Sequence, residues 1–278
     1  MRQLFRVALD LLLEARRRRW FLALFGVITL VLLALGLSLE LDVVDGAIAG
    51  SKLFGAVLLD DIRVGETVLG AVYFAVATVS FFGGALFLSV ACSDFAVELL
   101  SPGRIEHLLS LPVARWQLLF GTYLGVMTLT AASVLYGAGG LTVLLGFKSG
   151  LWSWGLVAGS VIGWVGFAAL YATMLMVAFF VRSAAASASA GLGTLVLGIL
   201  ASNREPLAMA LEPGLGRWAF RAVVMPFPRL GDLGRTSALI AMGRPIDALA
   251  TGRLMLACFV FSAALLSVAT WRFEQGDF

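Results

Sequence analysis

Six apolar runs, each long enough to cross a hydrocarbon layer, constrain this chain more than any other feature. They are Trp20 to Leu39, Thr67 to Cys92, Leu118 to Phe147, Trp152 to Val181, Ala184 to Ala201 and Leu254 to Trp271. A bilayer core of about 30 Å takes roughly 20 apolar residues per helix. The runs are continuously apolar instead of alternating, so helices are expected and a barrel is not. Composition agrees: 60% of the 278 residues are hydrophobic and 13% are charged, against about 25% charged in a soluble domain. The expected fold class is an all-α polytopic membrane protein with six transmembrane helices, forming a single domain over 1–278.

Charge placement sets the expected orientation. Arg2, Arg6 and the run Arg16 to Arg19 precede the first span, and basic residues beside a span favour the cytoplasm. No small-residue cleavage pattern follows, so the first helix is expected to stay as an anchor. Glu40, Asp42, Asp45, Asp60, Asp61 and Glu66 make the next loop read as external, while Arg104, Arg115 and Arg182 place two later loops inside. Six spans would return the C-terminus to the cytoplasm, giving a multi-pass protein of the cytoplasmic membrane. The arginine-rich loop 202–251 conflicts, but it is long, and long loops weigh less. A net charge of +3 needs no nucleic acid to explain it, because basic residues beside a span also meet anionic lipid.

Residues 1–19 read as an amphipathic interfacial helix, with Gln3, Arg6, Asp10, Glu14 and Arg17 on one face and Leu4, Val7, Leu11 and Leu12 on the other. The spans hold essentially no ionisable residue away from their ends, which disfavours a proton relay, an ion pathway or a voltage sensor. No metal-ligand pattern occurs, and the single His107 lacks a partner. Cys92 and Cys258 are expected in opposite leaflets, too far apart for a disulfide.

Small residues form stripes instead. Gly155, Gly159 and Gly163 recur every fourth residue, and Ser183, Ser187 and Gly191 do the same in the next run. Such stripes let helix backbones approach closely, either within one subunit or across a dimer seam. Gly83 with Gly84, and Gly137 with Gly139 and Gly140, are candidate points of bending. Tyr73, Phe74, Phe81 and Phe82 suit an apolar cargo, lipid contact or packing equally well.

The segment 93–117 is a polar loop broken by Ser101, Pro102 and Gly103. A short helix over Ile105 to Leu111 is expected, stopped by Pro112, with Ile105, Leu108 and Leu109 on one face and Glu106 and Ser110 on another. From the residues alone it serves equally as a lever on the helices it joins or as a cap on the bundle. The stretch GRIEHLLSLPVARWQLLFGTYLG, Gly103 to Gly125, resembles the signature of the ATP-binding cassette (ABC) type-2 permease family. Gly103, Ile105, Glu106, Leu108, Leu109, Ser110, Pro112, Val113, Arg115, Gly121 and Gly125 match it, while Arg104 replaces the usual Thr and Thr122 the usual Lys. The layout of the chain is similar to single-chain permeases found with nitrous-oxide reductase maturation and gliding-motility transporters.

The resemblance implies that this loop is a coupling helix docking on a separate cytosolic ATPase through Ile105, Glu106, His107, Leu108, Leu109, Ser110, Pro112 and Arg115. It further implies that a second permease chain completes the pathway. The sequence has no phosphate loop of the GxxxxGK[ST] type, so no enzymatic activity is expected here; ATP and Mg would be held by the partner.

The segment 202–251 is divided by Pro206, Pro213, Pro226, Pro228 and Pro245. Short helices over Arg217 to Val224 and Gly234 to Met242 are expected on or dipping into the outer leaflet. They would form a lid, a gate, or a platform for an extracytoplasmic partner with Trp218, Phe220 and Phe227 as contacts. Two functional classes remain: a permease subunit of an exporter, and a membrane scaffold that recruits a cytosolic protein without transport.

Overall fold

The computed structural model describes residues 7, 20–44, 47–53, 56–59, 63–101, 103, 114–150 and 152–275. Five helical spans among them are long and apolar enough to cross a membrane: Val72–Leu99, Arg115–Ser149, Gly155–Val181, Ala184–Ser202 and Ala248–Gln275. The chain is a predominantly α-helical polytopic membrane protein, and one small sheet departs from the all-α expectation. In chain order the helices are α1 (Trp20–Ser38), α2 (Gly65–Ala91), α3 (Ser93–Leu99), α4 (Arg115–Ser149), α5 (Gly155–Val181) and α6 (Ala184–Ser202). Then come α7 (Arg204–Ala210), α8 (Leu215–Val224), α9 (Leu230–Ala241) and α10 (Ala248–Gln275). α1 is apolar and, at 19 residues, as long as α6. Of the expected interfacial helix 1–19 only Val7 is described; it is helical and packs against the main core.

Helix ends follow local chemistry. Gly150 closes α4 in the left-handed region at φ 73°, where glycine meets no Cβ penalty. α5 ends on Arg182, also left-handed at φ 51°, and the Ser183 hydroxyl accepts a 3.4 Å hydrogen bond from the Ala186 N–H to cap α6. The chain thus reverses within two residues.

The acidic loop after α1 is more ordered than its composition implies. Strands β1 (Leu39–Val44), β2 (Ala47–Leu53), β3 (Ala56–Leu59) and β4 (Arg63–Val64) form an antiparallel sheet in which β2 pairs with the other three. The alternation of Leu39, Leu41 and Val43 with Glu40 and Asp42, followed by Asp45-Gly46, is a hairpin signal outweighed by the segment's charge.

α5 is the axis of the bundle. Every residue from Val165 to Leu175 is buried, and 72% of its most apolar window is enclosed against 22% for α10. A helix apolar on all sides belongs in such a place. It packs against α2, α3, α4, α6, α9 and α10. Polar side chains tie the middle of the bundle through backbone carbonyls: Tyr123 Oη donates to Ala168 O (3.2 Å), Trp164 Nε1 to Met127 O (2.9 Å) and Ser187 Oγ to Met174 O (2.9 Å).

α1 rests on α4, where Gly137 and Gly140 face Ile28 and Leu32. Phe25 packs on Tyr136 at 5.0 Å, and the Thr29 and Tyr136 hydroxyls share a 2.8 Å hydrogen bond. These glycines therefore admit a neighbour; α4 continues through them as one helix.

Candidate functional site

Two regions hold the residues singled out from sequence. The first is the end of the bundle where the 93–117 loop leaves and returns. Leu99 and Leu100 on the departing side and Leu118 and Leu119 on the returning side are all buried, so the loop springs from a fixed base. Ile105, Glu106, His107, Leu108, Leu109, Ser110 and Pro112 lie outside the described residues.

The return point is well defined. Ala114 is the N-cap of α4, and its N–H donates to Gln117 Oε1 at 3.2 Å, so a glutamine in the first turn satisfies a donor that helix geometry leaves open. Arg115 then reaches across the bundle. Its Nη1 donates to the carbonyls of Phe273 (2.9 Å) and Glu274 (3.1 Å), and the guanidinium lies 5.9 Å from the Phe273 ring centre. These carbonyls belong to the last turn of α10, where intrahelical partners run out and the helix dipole favours a cation. Phe273 is fully buried and packs on Phe179 of α5 at 4.8 Å, while Arg272 stacks over Phe180 at 5.7 Å. The start of α4 and the ends of α5 and α10 meet at one knot around Phe273.

The second region is the glycine stripe of α5, which receives α9. A Cβ on Gly155 would stand 2.5 Å from the Ile240 carbonyl, and one on Gly159 would collide with the carbonyl of Ser237. The Ser237 hydroxyl donates a 2.7 Å hydrogen bond to the Gly159 carbonyl. Gly163 and Gly166 face Phe81 and Leu233. On α9 the small residues Gly234, Ser237, Ala238 and Ala241 are buried, so two small faces meet in antiparallel order. The N-terminus of α9 is secured from outside its own sequence: Ser202 Oγ accepts from the Asp232 N–H at 2.9 Å and donates to Gly198 O. The short helix expected over Gly234 to Met242, on or dipping into the outer leaflet, is thus present as α9, begins four residues earlier and is packed into the bundle.

The remaining stripe divides. Ser187 and Gly191 face Met174, with Ser89 also beside Gly191, whereas Ser183 is the cap of α6. On α2, Tyr73 and Phe81 are buried, and Phe81 and Phe82 pack on Gly234, so these aromatics fill the interior. α8 matches the expected short helix, and α7 is an addition to it. Within this segment Trp218 is exposed, Phe220 is half-buried and Phe227 packs on Phe261 of α10 at 5.6 Å.

The chemistry on display is that of packing and helix capping. Among the described residues no group of three or more His, Cys, Asp or Glu is placed to hold a metal. Cys92 and Cys258 are buried free thiols. The hydroxyls of Tyr73 and Tyr171 are buried without a hydrogen-bond partner among the described residues, Tyr171 between the rings of Tyr123 and Phe167. No family model matches the chain, and no curated protein matches it.

Proposed function

We propose that this chain is the membrane-spanning permease subunit of an ABC exporter, worked by ATP hydrolysis on a separate cytosolic ATPase. In this reading α1 is the first of six spans, both termini face the cytoplasm, and a second permease chain shares the pathway. The observation that carries it is the conjunction of the loop sequence Gly103 to Gly125 with the Arg115 contact to the end of α10. A loop joining two membrane helices transmits force only where its ends are tied to other elements. Arg115 supplies that tie: displacement of the loop bears on α4, on α10 through the Phe273 and Glu274 carbonyls, and on α5 through the Phe179–Phe273 contact. Switching by rigid-body movement of packed helices is a recurrent way to convert such a push into opening.

Glu106 is the residue to test, because Arg115 also holds α10. Glu106→Ala is expected to insert normally yet lose most ATP-dependent export. Purification from native membranes is expected to retain a protein carrying a phosphate loop. Recovery of a cytosolic partner with no nucleotide-binding sequence, together with normal export by Glu106→Ala, would favour the scaffold and end the transporter reading.

A further inference from the structure

Among the described residues, the hairpin of α7 and α8 leaves one face without a partner, and that face is apolar. Leu215, Trp218, Ala222 and Met225 lie at i, i+3, i+7 and i+10, on one side of a helix turning 3.6 residues per turn. Leu215 is 85% exposed, Trp218 70% and Met225 74%. The opposite side, with Arg217, Phe220 and Val224, turns inward, and Val224 is buried. The hairpin is fixed in this attitude. Arg221 pairs with Glu205 of α7 at 3.0 Å, Arg217 Nε and Nη2 donate to the Leu211 carbonyl, and Phe227 is seated on Phe261. The outward face is therefore held outward by an ion pair, hydrogen bonds and packing, not left there by a loose loop.

We infer that α8 is an interfacial helix whose Leu215–Trp218–Met225 face is seated in the phospholipid bilayer, with the indole of Trp218 at the level of the headgroups. Continuity argues for lipid as the occupant. α7 begins two residues after α6 ends, and α10 follows α9 in sequence, so the hairpin is tethered between two spans. Phe227 touches α10 beside Phe259 and Val260, which are exposed on a helix apolar enough to cross a membrane. The face of α8 continues the exposed apolar surface that α10 presents beside Phe261. Its composition fits the interface: an amphipathic aromatic carries an apolar body and a polar N–H.

The test places a nitroxide at Leu215→Cys, Trp218→Cys or Met225→Cys, with Glu212→Cys as the solvent reference, in full-length protein carrying Cys92→Ser and Cys258→Ala. The protein is reconstituted in phosphatidylcholine and phosphatidylglycerol vesicles. Collision with oxygen should exceed collision with a water-soluble nickel chelate at 215, 218 and 225, with the order reversed at 212. Nickel access at 218 equal to that at 212 would put the face in water and overturn the inference. Low access to both reagents would bury it against protein, a second copy or an extracytoplasmic partner, and overturn it equally. Should the cysteine-substituted background not fold, Trp218→Phe in the native background gives a second reading. Brominated phosphatidylcholine should quench a component of the wild-type emission that the variant lacks; an identical quenched fraction in both overturns the proposal.

Discussion

The Arg115 guanidinium donates a 2.9 Å hydrogen bond to the carbonyl of Phe273, joining residues 158 positions apart in the chain. A second bond to Glu274 O makes the side chain a cap for the C-terminus of α10, supplied by the first turn of α4. Hydrogen bonds from a charged donor contribute about 1.5–3 kcal/mol where they are shielded, and Arg115 is only partly buried. Arg115→Ala should therefore cost about 2 kcal/mol, read as a lower melting temperature in detergent. Arg115→Lys should recover part of the loss, since an ammonium can reach the carbonyls but lacks the planar fork and its stacking on Phe273. Equal stability of all three proteins would remove the cap from the account.

The contact of α5 with α9 makes a sharper demand. Gly159→Ala puts a methyl group onto the Ser237 backbone carbonyl, which cannot rotate away as a flexible side chain would. Overpacking of this kind costs about 1–3 kcal/mol. Gly193→Ala is the control: nothing lies within 4 Å of the new Cβ, and alanine in a helix interior should stabilise by up to about 1 kcal/mol. Thermal aggregation followed by size-exclusion chromatography should shift in opposite directions for the two variants.

Ser202→Ala removes the hydroxyl that accepts from the Asp232 N–H. The expected loss is about 1 kcal/mol, in line with other caps, and it should be local. Amide exchange at residues 231–233 should quicken while that in the middle of α5 stays unchanged; uniform quickening would point to a different cause.

Tyr171→Phe should stabilise the protein. The phenol is fully buried, and its hydroxyl has no hydrogen-bond partner, so it loses water on folding and regains nothing from the protein. Removing an unsatisfied buried polar group recovers roughly 1 kcal/mol, while the ring keeps its place between Tyr123 and Phe167. A lower melting temperature for this variant would contradict the assignment.

The membrane helices were legible because hydropathy and local punctuation agree. The run Ala184 to Ala201 corresponds to α6 at Ala184–Ser202, bounded by a capping serine, and Trp152 to Val181 corresponds to α5, closed by Arg182. What escaped depends on distant partners. Gly231, Gly234, Ser237, Ala238 and Ala241 form a small-residue face on α9 as regular as the stripe on α5. Their complementarity becomes plain only when the two helices are side by side, and the flanking prolines mark a short helix without saying how deeply it packs. α7 was missed although Pro206 stands in its first turn, a position where proline is tolerated. In the loop site, the identity of Arg115 was readable but its acceptors were not, since a backbone carbonyl leaves no mark on residue type.

Biogenesis inherits a constraint from the seat of α9. Three of its walls, α2, α5 and α6, are synthesised earlier and the fourth, α10, later, so on a nascent chain the small-residue cleft bordered by Gly155, Gly159 and Gly198 has no occupant from this segment until residues 230–241 have been made. This flank of the molecule is consequently closed only late in synthesis, when residues 230–241 and then α10 join the helices that precede them.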